Sequence, residues 1–271
     1  AYHLDIQNDQ IYIYDYYNTT IKVINLSGNC IKTKSFGAYW QGAGIAVSNN
    51  YVYVSGWFHS YIRVLDKNLN QVNFLSGNFS TYYGIKGIDV NSNGTKLVAA
   101  GYSLNKILEF NISGSNLSLA RWTGSYGSGN YQFKNPSDVA YDSSDNIYIA
   151  DLYNHRLVKF DSAGNYVSQY GSLNYNGNPF RYAYGVGISS ADKIYVADHG
   201  QTSIQQFSTG LSYIGKIGVA KSRMSIAKEA IKRIVSDPQL KSGANFGLME
   251  WGFYWGNYLR LRVPISANGA S

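Results

Sequence analysis

The stretch that decides the fold runs from Asn135 to Gly171 and reads NPSDVAYDSSDNIYIADLYNHRLVKFDSAGNYVSQYG. It parses as an apolar strand, a turn, a second strand closing on Ala150-Asp151, a polar turn, a third strand, a turn at Gly164 and a fourth strand. Short apolar runs of alternating character between Gly, Asn, Asp and Ser clusters are strands joined by tight turns. One such unit has two outer edges and cannot bury its faces alone.

The unit is written five times. Its second strand sets the register: IYIYD from Ile11, VYVSG from Val52, LVAAG from Leu97, IYIAD from Ile147 and IYVAD from Ile194. The starts at 11, 52, 97, 147 and 194 lie 41, 45, 50 and 47 residues apart, the period of four-stranded propeller blades. Third strands align at Ile21–Ile24, Ile62–Leu65, Ile107–Phe110, Leu157–Phe160 and Ile204–Phe207. Fourth strands end near Phe36, Ser76, Thr123, Tyr170 and Ile217, and first strands are expected to start around His3, Gly44, Gly87, Asp138 and Gly185. The fold expected for residues 1–218 is therefore an all-β propeller with five visible blades. Within the second strands Ile and Tyr alternate. In a stacked blade both faces meet a neighbour, so Tyr12, Tyr14, Tyr53 and Tyr148 are expected to be buried like the isoleucines opposite them.

The motif Ile149-Ala-Asp-Leu-Tyr-Asn-His-Arg-Leu157 resembles the core of an NHL repeat, and Ile194–Phe207 is a second match with Thr202-Ser203 in place of His155-Arg156. The first three units keep the strands and lose the His-Arg pair. The resemblance implies that Asp151, Asn154, His155 and Arg156 hold the blade by hydrogen bonds between its turns. Propellers of this kind usually have six blades; five are visible here, so the ring closes with five or a blade lies outside this chain.

After Gly218 the sequence changes character. Ser222–Val235, SRMSIAKEAIKRIV, places Met224, Ala227, Ala230, Ile231, Ile234 and Val235 on one helical face, with Ser222 suited to the N-cap and Asp237-Pro238 as a stop. The apolar run Phe246–Trp251 and the alternating run Leu259–Ile265 follow. Residues 219–271 resemble part of a von Willebrand factor A domain, through Arg223-Met224, Ala227-Lys228, Ala230-Ile231 and Gly247-Leu248-Met249. The stretch from Ser222 to Trp251 is most similar to that domain in PilY-like proteins of type IV pili. No Asp-x-Ser-x-Ser metal loop occurs in the chain. The expectation is a partial α/β segment, a helix and two strands, with the propeller inserted beside a metal-dependent adhesion site that lies outside the chain, together with any divalent cation.

Composition narrows the function. Of 271 residues only 14% are charged, 26 are Tyr, and the net charge is +7. Basic residues are scattered, apart from Lys221, Arg223, Lys228, Lys232 and Arg233, without the interleaved aromatics of a nucleic-acid surface. Nucleic acid is not an expected partner. No apolar stretch is long enough for membrane insertion as a helix, and the single Cys30 excludes an internal disulfide. Sequons at Asn18, Asn25, Asn78, Asn93, Asn111 and Asn116 are consistent with a glycosylated surface protein or with chance in a chain so rich in Asn.

Candidate chemistry is sparse. Hydrolase, P-loop and metalloprotease motifs are missing from the sequence, and Gly124–Gly129 leads into no helix. Metal-dependent propeller hydrolases and lyases take several ligands from inner strands. His3 and Asp138 are two, where a catalytic metal needs three or more. Asp89, Asn91 and Asn93 open like a calcium loop but stand where other blades have a tight hairpin turn. The remaining signal is aromatic: Tyr16, Tyr17, Trp40, Trp57, Phe58, Tyr102 and Tyr153, with Tyr39, Tyr82, Tyr83, Tyr126, Tyr131, Tyr175, Tyr182 and Tyr184, fall in turns and blade edges and suit a recognition surface or packing between blades. The sequence thus reads as a non-enzymatic, extracellular adhesion module of a pilus-associated protein. It would need no cofactor in this chain, and its partners would be a host or environmental surface, a glycan or protein, and pilus proteins. Two alternatives are a metal-dependent hydrolase or lyase on the axis, and a scaffold binding protein or RNA.

Overall fold

The computed structural model describes residues 3–37, 42–57, 60–76, 84–172 and 179–217 in full, and the backbone of 244–246. Blade 1 comprises β1 (His3–Gln7), β2 (Gln10–Asp15), β3 (Thr20–Asn25) and β4 (Cys30–Ser35). Blade 2 comprises β5 (Gly42–Val47), β6 (Tyr51–Gly56), β7 (Tyr61–Asp66) and β8 (Gln71–Ser76). Blade 3 is β9 (Ile85–Val90), β10 (Lys96–Gly101), β11 (Lys106–Ser113) and β12 (Asn116–Thr123). Blade 4 is β13 (Pro136–Tyr141), β14 (Ile147–Asp151), β15 (Arg156–Phe160) and β16 (Tyr166–Gly171). Blade 5 is β17 (Ala183–Ile188), β18 (Ile194–Asp198), β19 (Ser203–Phe207) and β20 (Tyr213–Ile217). Each blade is an antiparallel meander, and the inner strands β1, β5, β9, β13 and β17 pack side by side in chain order. The five-bladed, four-stranded reading of the sequence holds.

A last strand, β21 (Ala244–Phe246), pairs antiparallel with β1, Leu4 opposite Phe246 and Ile6 opposite Ala244, and also lies against β17. It stands between the last and first blades. The expected helix Ser222–Val235 and the run Leu259–Ile265 fall outside the described residues, as do Trp40, Phe58 and His59.

The core is a set of layers between blades. Tyr14, Ile21, Ile45 and Val54 fill the space between blades 1 and 2, and Tyr53, Ile62, Ile88 and Phe110 the space between blades 2 and 3. Val98, Phe133, Ile149 and Phe160 join blades 3 and 4, and Tyr148, Leu157, Val196 and Phe207 join blades 4 and 5. Tyr12, Tyr14, Tyr53 and Tyr148 are all buried, as the stacking argument requires.

The inner strands differ from expectation at their start. β5, β9, β13 and β17 begin two residues early, at Gly42, Ile85, Pro136 and Ala183. The cause is a bulge: pairing shifts between Gly42 and Ile45, at Ile85, between Pro136 and Asp138, and between Ala183 and Gly185. The extra residue breaks the alternation from which a strand start is read. Gly44 and Gly87 permit the approach of adjacent inner strands. A Cβ on Gly87 would sit 2.0 Å from Asp138 Oδ1, and one on Gly44 2.5 Å from the Lys86 carbonyl.

Candidate functional site: the two mouths of the propeller axis

Inner strands are sheet edges, so their outward N–H groups need partners from outside the sheet. Side chains of the neighbouring blade supply them at repeated rungs. Asp5 Oδ2 accepts from Val47 N (2.5 Å), Asp89 Oδ2 from Tyr141 N (2.7 Å) and Asp138 Oδ2 from Val186 N (3.0 Å). Each also accepts the N–H of the next residue, Ile6, Val90 or Val139. His3 Nδ1 accepts from Ile45 N at 3.1 Å, on the rung where Asp138 receives Val186. Ser55 Oγ links Gly44 N to the Lys86 carbonyl. These polar groups staple blade to blade.

Their burial is costly. Burial pushes the Asp89 carboxyl up to about 7, opposed by the amide hydrogen bonds from Tyr141 and Val90, and raises Asp5 well above the usual carboxylate range. The two candidate axial ligands meet but do not form a metal set: His3 Nε2 lies 3.4 Å from Asp138 Oδ1. Among the described residues no group of three or more His, Cys, Asp or Glu could hold a metal.

Strands alternate in direction, so the turns joining strands 1–2 and 3–4 of each blade share one face, and the 2–3 turns and blade-to-blade loops share the other. On the first face a cavity of 390 Å³ opens onto Asp5 and Asp89 and is rimmed by Asn49, Asn91, Ser143 and Ser189. Asn91 Oδ1 accepts from Thr95 N and Lys96 N, and Asn93 Oδ1 from Thr95 N. With Asp89 facing Tyr141 and Val90, the oxygens of Asp89, Asn91 and Asn93 are engaged by backbone donors, and Gly94 (φ 71°) completes the hairpin turn.

The second face is aromatic. Lys86 of β9, 5% exposed, reaches across the axis to blade 5, its Nζ 3.5 Å from the ring centroid of Tyr184. Tyr102 and Trp57 stand 5.0 and 5.4 Å away and pack on each other at 5.2 Å. Burial lowers the Lys86 ammonium to about 7, opposed by the charge of Asp138. From Tyr184 the rings continue outward, to His199 (6.1 Å), Tyr182 (6.3 Å) and Tyr153 (6.3 Å). Tyr17 and Tyr153 are exposed, and Tyr16 packs edge-on against Tyr17 in the blade 1 turn. Of the aromatic residues picked from sequence, Trp57 and Tyr102 thus come together, Tyr153 lies at the end of the row, and Tyr16 and Tyr17 sit apart. Tyr182 and Tyr184, also among the aromatics of turns and blade edges, join the row with His199, whereas Lys86 was missed. The available signal was Lys86 in Ile85-Lys-Gly-Ile-Asp89, a cation on an inner strand where blades 2, 4 and 5 carry Ala43, Ser137 and Tyr184.

The His-Arg motif of blade 4 is structural. Arg156 Nε donates to Asp151 Oδ2 (2.8 Å), and its terminal nitrogens donate to the Ser128, Gly129 and Gln132 carbonyls and to Gln169 Oε1. Asp151 also accepts from Asn154 Nδ2 and Lys134 N, and His155 Nδ1 meets the Arg181 carbonyl. The glycine loop 124–129 therefore serves as an acceptor cradle for Arg156.

Residues 133–160 match the model of the NHL repeat. The chain carries an NHL repeat on a five-bladed propeller. No curated protein sequence matches it. Among solved structures it resembles virginiamycin B lyase from Staphylococcus aureus (14% identity, TM-score 0.59, 82% of this chain and 71% of that one). It also resembles a chain of the nidogen/laminin complex (15%, TM-score 0.58, 77% and 75%). A third likeness is a protein of unknown function from Bacteroides thetaiotaomicron (17%, TM-score 0.63, 81% and 58%). At these identities the likeness is one of fold.

Proposed function

We propose that the protein is a non-enzymatic recognition module that binds its partner through the aromatic face. One observation carries this reading. The acidic groups of the axis are spent on backbone N–H groups of neighbouring blades, whereas the rings of one face gather around the axis and run outward to exposed Tyr153. Tyr and Trp provide large contact area at low entropic cost. A propeller similar in fold occurs in a nidogen/laminin complex, which agrees with a protein-binding role.

The finer reading is that the module belongs to an extracellular, pilus-associated adhesin. It rests on the resemblance of residues 222–251 to the A domain of PilY-like proteins, a stretch outside the described residues save for the backbone of β21. Any divalent cation would then sit in the A domain. The test is an overlay of fluorescent protein on fixed epithelial cells. Saturable binding is expected, lost in Tyr17→Ser/Tyr102→Ser/Tyr153→Ser and kept in Trp122→Ser, which alters an exposed ring on outer strand β12. Equal loss in both variants, or no binding, rejects the reading.

A lyase or hydrolase is the second reading, favoured by His3 Nε2, buried without a hydrogen-bond partner beside Asp138. It requires a stoichiometric divalent metal bound to the purified chain and lost in His3→Ala.

A further inference from the structure

A buried charge is normally paired, because desolvation of an unpaired ion is costly. Lys86 departs from this. The residue is 5% exposed, and among the described residues its ammonium makes no hydrogen bond and has no carboxylate within ion-pair distance. Asp138, the acid whose charge acts on it, turns its oxygens to Val139, Val186 and His3. What surrounds Lys86 Nζ instead is a set of ring faces from three blades: Trp57 of blade 2, Tyr102 of blade 3 and Tyr184 of blade 5. Ring quadrupoles attract a cation but satisfy none of its N–H donors.

We propose that this mouth binds an acidic glycan, one sugar carboxylate completing Lys86 and the following rings lying along Tyr184, His199, Tyr182 and Tyr153. The proposal rests on the recognition reading above and names its ligand class. The missing partner of Lys86 is a compact anion, which a carboxylate supplies with a charge-assisted hydrogen bond. The row of rings, spaced 6.1 to 6.3 Å between centroids, calls for a chain of ring-shaped units with apolar faces and polar rims. A saccharide has that form. An oligonucleotide would need a basic track for its repeated phosphates, and along this row Arg181 is one cation beside Tyr182.

Binding should take up a proton. The free ammonium titrates near neutrality, and an anion on it favours the charged form, so affinity falls as pH rises above about 7. The other titratable groups near the mouth are His3, Asp138, His155 and His199. The Lys86 variant separates their contribution from that of Lys86.

The test is calorimetric titration of the full chain with three probes: a hexasaccharide with terminal glucuronic acid, a trisaccharide capped by sialic acid, and a neutral chitin hexasaccharide, with a single-stranded RNA hexamer as control. At least one acidic saccharide should bind at pH 6, and the neutral one about tenfold more weakly or worse. Lys86→Met should cost about tenfold in affinity and abolish the pH dependence, with its melting curve recorded to show that it folds. The two acidic arms tell a uronic from a sialic ligand. Equal affinity for the neutral saccharide, preference for RNA, no acidic saccharide bound at pH 6, or an unchanged Lys86→Met overturns the proposal. Cell binding that still depends on the surface tyrosines would then leave the recognition reading standing. Loss of both would remove it.

Discussion

Among the described residues a buried lysine and a buried arginine are treated in opposite ways. Arg156 in blade 4 has every nitrogen of its guanidinium hydrogen-bonded, to Asp151, Gln169 and three loop carbonyls. Lys86 at the axis is met by aromatic rings instead. A satisfied buried ion is part of the fold's own fastening. An unsatisfied one costs stability, and a site for an outside partner explains why it persists. The contrast separates structure from function in a molecule whose recognised motif is the structural half.

The comparison can be broken first at Asp151. Asp151→Ala strands the Arg156 guanidinium and should cost about 3–5 kcal/mol, read by urea unfolding. A loss under 1 kcal/mol would show that the pair does not hold the blade. Next in size is the pH response. The folded Asp89 carboxyl is raised to about 7 from its ordinary value, so its stabilisation is full below about 4 and is lost as pH rises to about 7. Lys86 is lowered to about 7, so its cost is present below that pH and relieved between about 7 and 10.5. Melting temperature should therefore pass through a minimum near pH 7, and Lys86→Met should remove the rise on the alkaline side.

Asp198 tests the intermediate case. It keeps the acid of the motif without the arginine and accepts backbone N–H groups from Arg181, Tyr182, Gly200 and Gln201. Asp198→Ala should cost about 1–3 kcal/mol, less than the same change at Asp151, since no charge is stranded. The smallest effect is expected at Lys86. Lys86→Met at pH 6 should be neutral or stabilising by up to about 1 kcal/mol, where Arg156→Met destabilises. Equal penalties for the two would erase the distinction.

The same rung in the five blades shows what the sequence could convey. The pairs are Asp15 with Thr20, Gly56 with Tyr61, Gly101 with Lys106, Asp151 with Arg156, and Asp198 with Ser203. The position is fastened by an ion pair, by a ring over glycine or by backbone amides, so the family signature is readable only where the ion pair is used. Strand order, the five visible blades and the buried tyrosines followed from period-two alternation and its repeat, whereas the choice between a ring of five and one of six did not. Inner-strand starts lie two residues before the expected positions, because the bulges interrupt the alternation there. The aromatic mouth was largely legible: Trp57, Tyr102, Tyr182 and Tyr184 are among the aromatics of turns and blade edges, but Lys86 lies on β9, and blades 3 and 5, apart in the chain, meet only across the axis.

The direct test of the account is the titration of lysines labelled with ¹³C at Cε, followed by NMR with Lys86→Met as the assignment control. The account predicts one lysine titrating near 7, lost in the variant and shifted upward when an acidic saccharide is added. A Lys86 that titrates near 10, like an exposed lysine, would mean the axial cation is solvated or paired, and would contradict it.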